Sequence, residues 1–313
     1  MAAKDLVTLA RAKQNIQAIT DTTQDALLTT LITAVSDAIE KYCRRPFFSH
    51  PRDELYNGTG DRRLLLREYP IQSVQSVRYR PVTVLKVQNT DQLTNQRATV
   101  AVTSTGLTLT RTASGVTSTD TSSTFAGFPT LQGLVNNING LGNGWTAQIV
   151  GVNPGDYGSW PSADLYVPPS YGDGTQSQGA LTARGQFAEL KMHTYELAGY
   201  QWDPRGWLLR AIPYTDPELL HPEDLIWPVG INNFRVQYTA GYTTIPEAVQ
   251  EACAEWVSQL WYQTQHDPAL RHIAASGAFS QVYEQTTQSG KPPQRVALLL
   301  APYRRYTIAT NQG

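Results

Sequence analysis

The side chains that do most acid–base and metal chemistry are scarce and scattered in this chain. Its five histidines, His50, His193, His221, His266 and His272, sit in unrelated contexts. His266 and His272 are six residues apart, not the i, i+4 spacing that puts a metal-binding pair on one helix face. Cys43 and Cys253 are the only cysteines, each on an apolar helical stretch, and read as two buried thiols of a reducing compartment. There is no G-x-S-x-G, no phosphate-loop motif and no paired C-x-x-C. Gly140-Leu141-Gly142-Asn143-Gly144 is glycine-rich, but it follows a helical stretch and precedes a strand. A phosphate cradle needs the reverse order, because it is the helix N-terminus that faces the anion; this stretch therefore reads as a turn. Asp156, Asp164 and Asp173 lie in a Gly- and Tyr-rich loop without the dense oxygen alternation of a calcium loop. The pattern points to no catalytic residue, no cofactor and no metal.

Two other residue sets could bind rather than react. Arginines come in pairs, Arg44-Arg45, Arg62-Arg63 and Arg304-Arg305. Net charge is −1, with residues 1–80 carrying 12 basic and 9 acidic groups, 81–210 carrying 7 and 8, and 211–313 carrying 6 and 9. The first sector is thus the better candidate to face a polyanion, although a surface arginine pair also fits a solvated face or an exposed ion pair worth less than about 1 kcal/mol. Arg304 and Arg305 equally suit the negative end of a helix dipole. The second set is aromatic: Tyr157, Trp160, Tyr166, Tyr171, Tyr200, Trp202 and Trp207. It suits either a sugar- or protein-binding surface or the packing of a loop-rich β subdomain.

These residues need a frame, and the hydrophobic pattern supplies one. Thr8 caps a short helix carrying Leu9, Ala12 and Ile16. A stronger helix runs from about Gln24 to Cys43, with Leu28, Leu31, Ile32, Val35, Ile39 and Tyr42 on one face, and Pro46 stops it. Leu55-Tyr56, an Asn57-Gly58-Thr59-Gly60 turn and Leu64–Leu66 predict a hairpin, since Asn-Gly tolerates positive φ. A strand follows at 70–77. From Val82 to about Phe125, Val and Leu alternate with Thr and Ser and charges nearly vanish, the composition of β-sheet. A capped helix from Thr130 to Asn139, a strand at 145–150, a long irregular loop at 153–186, and strands near 189–197 and 207–212 complete this part. Phe234, Val236 and Tyr238 alternate with polar residues up to Gly241, and Pro246 opens a helix with Val249, Cys253, Trp256, Val257 and Leu260 on one face. Residues 266–273 read as a short helical extension, 274–291 as a polar linker, and 294–304 as a last helix with Val296, Leu299 and Leu300 as its stripe. No apolar run is long enough to span a bilayer, and MAAKDLVTLARAK lacks the apolar core of a signal peptide, so a soluble protein made in a cytoplasm is expected.

The order of these words resembles the head–tail connector proteins of long-tailed phages, also called adaptors or head-completion proteins. The residues that carry the resemblance are TLARAKQNI at Thr8–Ile16, DALLTTLITAVSDAIEKYCRRPF at Asp25–Phe47, ELYNGTGDRRLLL at Glu54–Leu66, YPIQSVQSV at Tyr69–Val77, FRVQYTAGYTTIPEAVQEACAEWVSQLWY at Phe234–Tyr262 and PPQRVALLLAPYRRY at Pro292–Tyr306.

The resemblance implies an α+β fold: a small helical bundle with short flanking strands, built from residues 1–81 and 213–313, with a tail helix at 292–305. Residues 82–212 would then be an inserted β-rich subdomain, about which the resemblance is silent. It implies a non-enzymatic virion neck protein, assembled in the host cytoplasm into a homo-oligomeric ring of about twelve subunits. Such a ring sits beneath the portal protein, prolongs the DNA channel with non-specific contact to genomic DNA, and offers a platform to a tail-side neck, stopper or tail-completion protein. Candidate portal or partner contacts are Pro302, Tyr303, Arg304, Arg305 and Tyr306, and candidate DNA-channel contacts are Arg44, Arg45, Arg62 and Arg63. A tail helix that serves a partner implies that removing Pro292–Gly313 leaves the monomer folded. The alternative is a carbohydrate- or protein-binding baseplate or fibre component that uses Tyr157, Trp160, Tyr166, Tyr171 and Trp202 of the insertion.

Overall fold

The computed structural model describes residues 4–16, 22–150, 157–168, 180–211, 225–264, 272–275, 279–282 and 292–305. The helices in chain order are α1 (Leu9–Asn15), α2 (Asp25–Cys43), α3 (Leu131–Gly140), α4 (Glu247–Thr264) and α5 (Gln294–Leu300). The strands are β1 (His50–Gly58), β2 (Arg63–Leu65), β3 (Ile71–Asn89), β4 (Asn95–Val102), β5 (Leu107–Ala113), β6 (Val116–Asp120), β7 (Trp145–Ile149), β8 (Leu181–Thr182), β9 (Ala188–Glu196), β10 (Tyr200–Asp203), β11 (Trp207–Arg210), β12 (Gly230–Ala240), β13 (His272–Ala275) and β14 (Phe279–Val282). The fold is mixed α+β.

The chain divides into two compact units, Met1–His50 with Ala240–Gly313, and Pro51–Thr239. The limits expected at 81/82 and 212/213 both fall inside the second unit. At the first of them the composition changes along a single element, because β3 runs unbroken from Ile71 to Asn89.

The first unit is helical. Thr8 caps α1, its Oγ1 accepting from the Arg11 amide at 3.2 Å. In α2 the expected face is inside at Leu28, Ile32, Val35 and Ile39, while Leu31 and Tyr42 form its half-buried rim. Ser36 joins that buried face, which its polarity had hidden. Its Oγ accepts from the Leu6 amide at 3.0 Å and lies 3.7 Å from Cys253 Sγ. The helix ends before Pro46, at Arg44, which adopts a left-handed conformation (φ 56°), and the Arg45 amide donates back to Glu40 O at 3.1 Å. In α4, Val249, Cys253 and Val257 are fully buried as the spacing predicted, joined by Ala252, Ala254 and Trp261, whereas Trp256 and Leu260 are half-buried. Gly241, which breaks β12, has φ +103°, and a Cβ there would lie 2.2 Å from Phe48 O.

The expectations for the tail are corrected. α5 stops at Leu300 and a 3₁₀ turn, Ala301–Tyr303, follows, because Pro302 has no N–H to continue an α-helix. More important, α5 is core: Val296 and Leu300 are fully buried in the same cluster as Leu28, Ile39, Val249 and Val257. Removing Pro292–Gly313 would strip apolar cover from that cluster, so the monomer is not indifferent to its tail helix. Of the predicted extension at 266–273, His266–Arg271 lie outside the described residues, and His272–Ala275 form β13, paired antiparallel with β14 inside the stretch that read as a linker. Strands of four residues are too short to carry a readable period.

The second unit is mainly antiparallel sheet. One sheet has the order β1-β12-β3-β7 with β9 also on β3, a second is β6-β5-β4-β8 and a third is β10-β11-β2. α3, capped by Thr130 through the Gly133 amide at 3.2 Å, packs Leu131, Leu134 and Ile138 into a core shared with Val84, Leu85, Val87, Val100, Leu109 and Leu190. The Asn57-Gly58 hairpin does not form. β1 runs through Gly58, and β2 pairs with β11 instead. The Gly58 amide donates to Asn233 Oδ1 at 2.7 Å, and the Asn57 Oδ1 accepts from the Asn232 amide at 2.8 Å. A Cβ on Gly58 would lie 1.6 Å from Pro228 O, so this glycine serves a close backbone approach, and the positive φ falls two residues on, at Gly60 (+77°).

Candidate interaction surface

The end of the helical unit where α2 and α5 finish gathers four arginines. The first pair follows from how α2 terminates: the left-handed turn at Arg44 sends the chain back across the helix end, leaving Arg44 exposed and Arg45 buried at 7%. The Arg45 guanidinium lies over two rings, 5.4 Å from the centroid of Tyr242 and 5.7 Å from that of Phe47. Those rings stack at 6.2 Å and 20°, and Tyr303 sets its ring edge-on to both, 6.2 Å from Phe47 and 6.4 Å from Tyr242. Backbone bonds fix the box: the Tyr242 amide donates to Phe47 O at 2.8 Å and the Ser49 amide to Tyr242 O at 3.1 Å. The Phe47 amide donates to Glu40 Oε1 at 3.1 Å.

The second pair arrives through the tail. With α5 seated in the core, Tyr303 reaches the aromatic box and the Arg305 amide donates to Cys43 O at 2.9 Å. This caps one of the last carbonyls of α2, which has no partner within the helix. Arg304 places its guanidinium 5.1 Å from the Tyr42 ring centroid. Cation–π contact of this kind holds a guanidinium by its flat face.

The electrostatics agree with this convergence. Burial pushes the Cys43 thiol up to about 11, and the positive charges of Arg45 and Arg304 oppose that rise, so both cations lie within reach of one sulfur. Burial likewise lifts Cys253 to about 12, against a hydrogen bond from Ser36. Both thiols stay protonated at neutral pH and are poor nucleophiles. Burial raises Glu40 as well, with the Phe47 amide pulling the other way.

The other expected residues lie elsewhere. Arg62 and Arg63 belong to the sheet unit and are exposed; Arg62 O accepts from the Arg210 amide at 2.9 Å and from Trp227 Nε1 at 3.2 Å, and the Arg63 guanidinium sits 6.0 Å over the Trp207 ring. The sequence-proposed DNA contacts are therefore split between the two units. Tyr157 and Trp160 meet edge-to-face at 5.6 Å, and with Tyr166 they pack half-buried against the core of the sheet unit. Trp202 stands on β10, in the small third sheet. Tyr171 and Tyr306 lie outside the described residues. Asp164 is not a loose calcium ligand: its carboxylate accepts from Arg78 Nη1 at 2.7 Å, while Asp156 and Asp173 are outside the described residues. Among the described residues no three His, Cys, Asp or Glu side chains are grouped to hold a metal. Sequence reasoning missed the Arg45 box. Its one local signal is Tyr242, the aromatic just after the Gly241 break.

Comparison with known proteins bears on what this surface belongs to. Residues 5–121 match the family model described as head completion protein. The resemblance read from the sequence is borne out. The matched segment takes in α1, α2 and the strands from β1 through β6, so it enters the stretch at 82–212 that read as an inserted subdomain. Among solved structures, a chain from the neck of an empty GTA particle computed with C6 symmetry is 13% identical, with 100% of this chain and 96% of that one covered at a TM-score of 0.34. A search of curated proteins finds no match.

Proposed function

We propose that this chain is a structural protein of the virion neck, a head-completion component at the junction of head and tail. The observation that carries this reading is the match of residues 5–121 to head completion proteins, which contains α2 and the Tyr42–Phe47 segment at its end. In the finer form of the proposal the chain assembles into a homo-oligomeric ring under the portal protein, extends the DNA channel and receives a tail-side neck, stopper or tail-completion protein. Repetition around a ring supports such work physically, since many modest contacts add through effective concentration. The low overall charge suits a channel through which DNA must slide rather than stick. A carbohydrate-binding role for the aromatic segment has less support, because Tyr157, Trp160 and Tyr166 spend their surface on packing.

Electron microscopy of purified virions, with the protein located by a tag, tests the proposal. Density for a cyclic assembly of this chain between portal and tail is the expected result. Location outside the neck, or a neck without a ring of this chain, overturns it.

A further inference from the structure

Asn57-Gly58, Asn139-Gly140 and Asn143-Gly144 share one latent reaction, because a glycine has no side chain to hinder attack by its own nitrogen on the preceding asparagine. We infer that Asn143 is a site of spontaneous covalent modification, in which the Gly144 nitrogen attacks the Asn143 side chain, and that the fold blocks the same reaction at Asn57 and Asn139. The inference does not depend on the neck reading. In the first step the Gly144 nitrogen gives its proton to solvent and bonds to Asn143 Cγ. The Cγ–Nδ2 bond breaks and Nδ2 leaves as ammonia, which closes a succinimide ring. Water then opens the ring on either side of the Gly144 nitrogen. Cleavage of its bond to Cγ gives aspartate. Cleavage of its bond to the Asn143 carbonyl carbon gives isoaspartate, in which the main chain runs through Cγ and the former carbonyl is a free carboxylate. Nothing is oxidised or reduced, and water is the sole co-reactant.

The surroundings of each asparagine decide which one reacts. At Asn57 both reacting groups are held: Oδ1 accepts from the Asn232 amide at 2.8 Å, and the buried Gly58 amide donates to Asn233 Oδ1 at 2.7 Å. At Asn139, inside α3, Oδ1 accepts from the Ala147 amide at 2.6 Å and Nδ2 donates to Ala147 O at 3.0 Å. Such bonds must be given up before the side chain can turn toward the next nitrogen. Asn143 is exposed, and among the described residues neither its side chain nor the Gly144 N–H has a hydrogen-bond partner. The Trp145 amide donates to Gly142 O at 3.0 Å, and the two residues between, Asn143 (φ 54°) and Gly144 (φ 81°), are both left-handed, the pattern of a type I′ turn. The main chain of this turn anchors its neighbours. Asn143 O accepts from Asn89 Nδ2 at 3.0 Å and Asn95 Nδ2 at 3.3 Å, and both asparagines are buried. Gly144 O accepts from the Thr90 amide at 2.8 Å, and Trp145, next in the chain, sits in the core at 3% exposure. Isoaspartate lengthens the main chain inside this turn, so the two carbonyls cannot both keep their donors, and a buried amide left without an acceptor is costly.

The test is storage of the full chain in mildly alkaline buffer, once folded and once in urea, followed by peptide mapping with mass spectrometry. In the folded protein the exchange of amide for acid is expected several-fold faster at Asn143 than at Asn57 or Asn139, with isoaspartate among the products. In urea the three sites should react at similar rates, because the bonds that protect two of them are gone. Hydrogen exchange at the Thr90 and Trp145 amides should be several-fold faster in the isoaspartate fraction than in fresh protein. Asn143→Gly, which suits a left-handed position and has no side-chain amide, should keep the fold and abolish the modification in this peptide. Equal rates at the three sites in the folded protein, or reaction at Asn143 only after unfolding, would overturn the inference. Unchanged exchange at Thr90 and Trp145 in the isoaspartate fraction would overturn its structural consequence.

Discussion

Arg235 grips Asp53 with two parallel bonds, Nε to Oδ1 at 2.8 Å and Nη2 to Oδ2 at 2.7 Å, joining β12 to β1 within the sheet unit. The same guanidinium donates to the carbonyls of Asp164 (2.7 Å) and Tyr166 (3.1 Å), so one side chain that is 3% exposed also ties down the 3₁₀ turn at Ser162–Leu165. Removing one partner of a buried pair leaves the other charge without compensation. Arg235→Met is expected to destabilise the sheet unit by about 3 kcal/mol, and Arg235→Lys by somewhat less, because lysine keeps the charge beside Asp53 although it cannot make the fork. Chemical denaturation read through tryptophan fluorescence checks this; a change below about 0.5 kcal/mol, the range of an ordinary surface substitution, would show that the clamp is not structural.

The tail helix gives a second test. Leu300 is fully buried among α2 and α4 residues. Leu300→Ala should cost about 2–5 kcal/mol through lost transfer energy and a cavity. The outward Leu298, 69% exposed, should tolerate the same change within about 0.5 kcal/mol. Hydrogen exchange in α2 and α4 is the readout, and equal protection in both variants would place the tail outside the core.

His193 predicts a pH dependence. It is buried in the sheet unit, and its Nε2–H donates to Asn232 O at 2.9 Å. Burial lowers its pKa to about 4; the nearby positive charges of Arg235 and Arg78 act the same way, while the Asn232 carbonyl and Asp53 oppose it. The unfolded state, titrating near 6.5, therefore binds more protons between pH 6.5 and 4. Stability from this group is complete above pH 6.5 and falls as pH drops toward 4, by up to about 3 kcal/mol. His193→Gln should flatten that segment of the stability–pH curve, and an unchanged curve would assign the dependence to other groups.

Gly241 tests a backbone requirement. At φ +103°, with Phe48 O where a Cβ would stand, Gly241→Ala meets both strain and a clash with main chain. A loss of more than about 2 kcal/mol is expected in the helical unit, measured by thermal melting at 222 nm. A neutral result would mean that this turn is free to rearrange.

How much of the fold is legible in the sequence varies residue by residue. Thr8 and Thr130 were legible as caps because an N-cap acts on an amide three residues away. The stripes Leu28–Ile32–Val35–Ile39 and Val249–Cys253–Val257 were legible because helical period is a property of the segment alone. Asn57-Gly58 misled for the opposite reason: both a turn and a close approach by Pro228 call for a residue without Cβ, and only the partner strand chooses between them. Arg45 looked like surface because nothing local announces the rings of Phe47 and Tyr242 around it.

The sequence by itself determined the helices, most strands, the scarcity of catalytic groups and the likeness to head-completion proteins, since these depend on composition and on contacts within a few residues. Tertiary structure alone decided that β1 and β2 part, that α5 is core, and that Arg305 caps the helix ending at Cys43. Local sterics and hydrogen bonding fix what a segment becomes. Which segments meet is fixed by burial of apolar faces brought together across the whole chain, and no short window of residues encodes that choice.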